Sequence, residues 1–156
     1  MNIKEKIFKF VLKRQPARKV SIPNWEKVRT IAILYNHEDI PHIINQLDKQ
    51  GKEVVVFTVP GSNETCWLTD RPKKEVRDLI TARHFDVLID LTQEDSLTTL
   101  YMAMDIQADF KTGLHKREGI MDMAIETPPQ ETPDYLFEQI LRYIQMIGGR
   151  KLRVER

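Results

Sequence analysis

Residues Phe85–Thr92, Phe-Asp-Val-Leu-Ile-Asp-Leu-Thr, constrain the fold more than any other stretch. Val87, Leu88 and Ile89 follow one another without a polar break. A strand with one wet face alternates apolar and polar residues, whereas an unbroken apolar run wants burial on both faces. This is the pattern of a central strand in a parallel sheet covered by helices on both sides. The run ends on Asp90 and Thr92, which open a polar turn.

The rest of the chain supplies neighbours for such a strand. With 156 residues, 41% of them hydrophobic and 30% charged, it fits one domain with a core of ordinary size. Val28–Tyr35 and Glu53–Val59 read as the first two strands, Asp109–Leu114 as the fourth, and Ile120–Glu126 as a last strand near an edge. Between them lie helical patterns. Ile40, Ile43, Ile44 and Leu47 form one stripe, with Asn36–Asp39 as turn and cap. Val76, Leu79 and Ile80 form the next, in a helix entered near Asp70 and Pro72. Leu97, Leu100, Tyr101 and Met104 form another, capped by Asp95 or Ser96. Leu136, Phe137, Ile140, Leu141, Ile144 and Ile147 form the last, which starts at Thr132 and Pro133 and is closed by Gly148 and Gly149.

Strands alternating with helices predict an α/β fold, three-layered, with a mostly parallel, doubly wound sheet of about five strands. The strand order is 2-1-3-4, and the last strand is antiparallel to the fourth or paired elsewhere. Residues 20–149 form this domain. Residues 1–19 form a basic amphipathic helix and the start of a linker, and 150–156 a basic tail. Trp25 anchors the end of the linker.

Charge is unevenly placed. The chain is +1 overall, but residues 1–19 carry +6 and residues 149–156 carry +3, so the body between them is −8. Lys4, Lys6, Lys9, Lys13 and Arg14 of the first helix can meet a protein partner or an anionic surface, or can lie solvated against the acidic body. The acidic body disfavours nucleic acid. The same lysines break the run that a secretory signal needs, and no stretch has the roughly 20 apolar residues of a membrane span. Cys66 is the one cysteine, which excludes an intrachain disulfide or a thiolate zinc site and points to a reducing cytoplasm.

In doubly wound sheets, ligands sit beyond the C-terminal strand ends where the order reverses. Here that crevice is walled by Asn36 and His37 after the first strand, and by Asp90, Thr92, Gln93 and Glu94 after the third. Ser62, Asn63 and Lys116 flank it, and helix N-termini at Asp39 and Ser96 can turn amides toward an anion. Asp90 reads as a base or ribose contact, or as the holder of the following turn, and the second role is preferred. His37 and His42 are five apart with Pro41 between them, so His37 reads as a turn residue and cap rather than a metal ligand. Cys66 reads as an inert thiol, Trp67 as packed under its loop, and His115-Lys116-Arg117 as a basic turn. No Gly-x-Gly-x-x-Gly and no Gly-x-x-x-x-Gly-Lys-Ser/Thr is present, so no cofactor is expected.

Phe85–Leu91 and Ala108–Gly113 together resemble the N-terminal, Rossmann-like half of heptosyltransferase-type glycosyltransferases. There an Asp-x-x-Ile-Asp-Leu strand precedes an Ala-x-x-Arg-x-Gly strand. Asp86, Ile89, Asp90, Leu91, Ala108 and Gly113 match, and Lys111 takes the basic place. The resemblance implies the fold. It does not imply glycosyl transfer, because those enzymes need a second half to hold the nucleotide-sugar, and their glycine-rich loop is absent after Tyr35. The whole pattern is similar to an uncharacterised family of small bacterial Rossmann-like α/β proteins. The function this reading favours is a non-catalytic interaction module that uses its basic N-terminal helix. The alternative is a small enzyme or ligand-binding protein acting on a phosphorylated or sugar-like anion at the switch-point crevice.

Overall fold

A computed structural model describes residues 2–37, 39–94, 96–114, 119–126 and 131–154, the last six of these by backbone. Strands β1 (Thr30–Tyr35), β2 (Glu53–Thr58), β3 (His84–Asp90), β4 (Gln107–Gly113) and β5 (Met123–Ala124) form one parallel sheet, ordered β2-β1-β3-β4-β5. Helices α1 (Ile3–Lys13), α2 (Pro41–Lys49), α3 (Lys74–Thr81), α4 (Leu97–Asp105) and α5 (Pro133–Val154) accompany it.

The unbroken apolar run in β3 is buried on both faces. Ile31, Ile33, Val87 and Ile89 pack with Ile43 and Leu47 of α2 and with Leu136, Phe137, Ile140 and Ile144 of α5. Ala32, Leu34 and Leu88 pack with Phe8 of α1, Ile80 of α3 and Leu100–Met104 of α4. The order reverses between β1 and β3, so the switch point lies at their C-terminal ends, as the sequence pattern predicts.

Three expectations about the bounds and direction of the elements are corrected. The last strand is neither long nor antiparallel. The Asp122 N–H donates to the Lys111 carbonyl at 2.8 Å, so the chain has already returned alongside β4 before β5 begins. Met123 and Ala124 then run beside Thr112 and Gly113 in the same direction. A two-residue strand has so little length to recross that no helix is needed. Second, α2 is not capped from Asn36–Asp39. Its cap position is Ile40, without a side-chain bond, and Pro41 opens the helix, where its missing N–H is no loss. Third, α5 runs on through Gly148 and Gly149 into the expected tail. Glycine weakens a helix interior by about 1 kcal/mol without blocking it, and Gly148 is useful here. A Cβ at this position would come within 3.2 Å of the Pro23 carbonyl of the linker.

The segment before β1 is held at several points. Phe8 meets the Tyr101 ring edge-on, with centroids 4.8 Å apart. Trp25 is buried as expected, and its Nε1 donates to Gln50 Oε1 at 2.9 Å. Lys52 lies over the Trp25 ring and donates to the carbonyls of Trp25 and Val28 at 2.7 and 2.8 Å.

Trp67 does not pack under its loop and is 83% exposed. The loop is a small finger closed by a Thr65–Pro72 bridge, and a tight turn follows in which the Asp70 N–H donates to the Cys66 carbonyl at 2.8 Å. Trp67 sits in that turn and faces outward. A Trp67→Ser variant should therefore keep its urea midpoint, with a stability change within about 0.5 kcal/mol.

Candidate functional site

The switch-point edge is built around Asp90, which is fully buried beside Thr92. Asp90 Oδ1 accepts the Thr92 backbone N–H at 2.9 Å and also its hydroxyl. This is the turn-holding role of a short carboxylate two residues before the amide it binds. Behind it, Gly113 of β4 is paired with Asp90 at so close a spacing that a Cβ on Gly113 would lie 2.8 Å from Asp90 Cβ and 2.9 Å from its carbonyl oxygen.

The other residues of this edge are placed differently. Asn36, His37, Gln93 and Glu94 are exposed. The His37 ring stands edge-on to Tyr35 at 6.0 Å. Gln93 Nε2 donates to the Glu131 carbonyl at 2.6 Å, tying the turn after β3 to the start of α5. Ser96 caps α4, its Oγ accepting the Thr99 N–H at 3.2 Å. The edge thus joins Asp90 to Thr92 inside the fold, ties Gln93 to the segment before α5 and leaves Asn36, His37 and Glu94 exposed. Lys116 lies outside the described residues, as do His115 and Arg117. Among the described residues, no three of His, Cys, Asp and Glu converge as a metal cluster. Cys66 is half-buried, and hydrogen bonding to Thr69 and then to Leu68 holds its thiol below the usual range.

The α1 surface is the second candidate. Its inner side packs Phe8 on α4, and Lys4 pairs with Asp70 at 3.0 Å. Lys6, Lys9, Lys13 and Arg14 are exposed on the remaining surface, together with Ile3 (64%) and Phe10 (59%). The Arg14 guanidinium lies over the Phe10 ring at 5.1 Å. Among the described residues no helix is long and apolar enough to cross a membrane.

Residues 2–147 match DUF6913, a family of unknown function. The chain belongs to this family. No curated protein and no solved structure matches it.

A third cluster in this DUF6913 chain gathers around Lys111, the basic residue of the heptosyltransferase-like strand, and joins it to Arg18 and Asp122, which no motif singles out. Lys111 of β4 is 2% exposed, and its Nζ donates to the Ala103 and Met104 carbonyls at 2.8 and 2.9 Å. These are last-turn carbonyls of α4, where a helix has unpaired acceptors and favours a cation. Burial, and secondarily Arg18, push the Lys111 amine down to about 7, while Asp122 and Asp105 oppose them. Arg18 grips Asp122 through both guanidinium NH groups at 2.9 Å and reaches the Ala108 carbonyl at 3.0 Å. Asp122 Oδ2 also accepts the Lys111 backbone N–H at 2.7 Å. One signal was legible: Lys111 interrupts Phe110-Lys111-Thr112 in a strand whose neighbours demand burial. The Arg18–Asp122 pair spans 104 positions and left no trace in the local pattern.

Proposed function

We propose that the protein is a non-catalytic cytoplasmic binding module that docks reversibly on an anionic membrane surface through the outward side of α1. The observation that carries this reading is the division of the helix. Phe8 secures it to the domain, while Lys6, Lys9, Lys13 and Arg14 stay exposed around Ile3 and Phe10 on a chain whose body is acidic. Basic residues near anionic lipid contribute about 1 kcal/mol each, so the four together give about 4 kcal/mol. Partial burial of Phe10 and Ile3 in the interface adds to this. The sum suits reversible attachment. The single cysteine supports a reducing compartment.

Because Phe8 is part of the core, the test keeps the chain whole. Wild type and a Lys6→Glu, Lys9→Glu, Lys13→Glu variant are sedimented with vesicles of phosphatidylglycerol and phosphatidylcholine, and with phosphatidylcholine alone. Wild type should pellet with the anionic vesicles, and less so in high salt. The variant should stay in the supernatant with an unchanged circular-dichroism spectrum. Equal pelleting of the two proteins sinks the membrane reading, and charge-dependent capture of an acidic protein without vesicle binding would replace it.

The strand order favours a second reading, a phosphorylated or sugar-like ligand beyond β1 and β3, where Asn36 and His37 stand exposed near the turn that Asp90 holds. The heptosyltransferase-like strand pair supports the same place. Asp90 would shape that site through the Thr92 turn rather than touch the ligand.

A further inference from the structure

A cavity of about 630 Å³ lies between the end of α1 with its linker and the β4 side of the sheet. Its volume is in the range that holds small organic ligands. Leu12, Val20, Met104, Ile120 and Met121 supply apolar wall. Lys111 of β4, Arg18 of the linker and Asp122 just before β5 are charged groups of its lining, and Lys13 stands at the end of α1.

Among the charged groups of the lining, the hydrogen-bonding capacity that remains unused is of one kind. The Asp122 carboxylate accepts three hydrogen bonds, two from Arg18 and one from the Lys111 backbone. It has little left to offer a cation. Lys111 is in the opposite position. An ammonium has three donors, and two go to the Ala103 and Met104 carbonyls. The third has no acceptor among the described residues. Lys52 provides a comparison inside the same fold. It too donates to two carbonyls, but the Trp25 ring covers it. Lys111 borders a cavity instead.

We propose that this cavity binds a small organic monocarboxylate with an apolar body, its carboxylate taken by Lys111 and Lys13. Apolar wall predominates, and a buried anion needs matched donors. A phosphate dianion would need more donors than one ammonium position and a rim lysine provide. The near-neutral titration of Lys111 agrees, since a carboxylate arriving beside it would favour the protonated form. Arg18, Asp122 and Asp105 are the other charges acting on this amine.

Octanoate, 4-phenylbutyrate and 1-octanol are titrated into the full-length ¹⁵N-labelled protein and followed by amide chemical shifts. Both carboxylates should give saturable shifts confined to residues 12–20, 104–111 and 119–122. Octanol should bind about tenfold more weakly, the worth of one charge-assisted hydrogen bond. Ala17→Trp fills the cavity from its exposed rim and should abolish the shifts. Lys111→Met should remove the preference for carboxylate over alcohol. If Lys111→Met does not fold, Ala17→Trp still decides. The proposal is overturned if no carboxylate gives saturable shifts at millimolar concentration, if octanol binds as well as octanoate, or if Ala17→Trp binds like wild type.

Discussion

Replacing Gly113 with alanine is expected to destabilise the fold by about 3 kcal/mol, roughly a hundredfold in the folding equilibrium. The reason is space. The new methyl would sit 2.8 Å from Asp90 Cβ and 2.9 Å from the Asp90 carbonyl oxygen. One of these is backbone and the other is fixed to it, so no rotamer change relieves the contact. β4 would have to move away from β3, and its Gly113 carbonyl also accepts the Ile125 N–H at 3.0 Å. The urea midpoint should fall with the slope unchanged, since the same surface is exposed on unfolding. Gly51→Ala is the control. Gly51 has open space around it but a φ of +74°, so alanine there meets only backbone strain of about 1 kcal/mol. Equal losses at the two sites would refute the close-packing account.

The second large effect is in the pH dependence of stability. Lys111 titrates near 7 in the folded protein and near 10.5 when unfolded. Between these values the unfolded chain binds more protons, so stability rises with pH across that window. Below it, the full penalty of burying the ammonium is present. Lys111→Met has no such group. The stability of wild type relative to Lys111→Met should therefore improve from pH 6.5 to pH 10 by on the order of 3 kcal/mol. Burial also lowers the Lys52 amine, but Lys52 is common to both proteins and cancels in the difference. Denaturant titrations at several pH values and constant salt measure this directly. Parallel curves for the two proteins would show that the Lys111 amine is not perturbed by burial.

What was legible in the sequence followed from local pattern. The unbroken Val87–Ile89 run, with Val28–Tyr35 and the valines of β2, carried the parallel sheet and its order, because burial on both faces leaves a mark in consecutive residues. The cap of α4 was legible as Asp95 or Ser96, because a capping side chain adjoins the helix it caps, and the structure has Ser96 there. What was missed depends on partners distant in sequence. Nothing near Trp67 indicates that the turn closed by the Thr65–Pro72 bridge leaves its ring exposed. The direction of β5 depends on where Asp122 meets Lys111. The continuation of α5 depends on whether Gly148 faces a linker. At the candidate site, Asp90 and Thr92 were placed side by side by their spacing. The Lys111, Arg18 and Asp122 cluster arose from three segments that only the fold brings together.

The outer edge of β4 shows how the chain limits its own assembly. β5 pairs only with Thr112 and Gly113. Further along, the Asp109 carbonyl accepts the Ser21 N–H at 3.2 Å, the Ala108 carbonyl accepts Arg18, and both backbone groups of Lys111 are taken by Asp122. A foreign strand finds few free partners there. β2, at the other end, pairs with β1 alone among the described strands. A sheet with one receptive edge can join a second copy edge to edge, and the join then consumes the receptive edge of both. Such growth stops at a two-fold pair, whereas two receptive edges would allow an open filament.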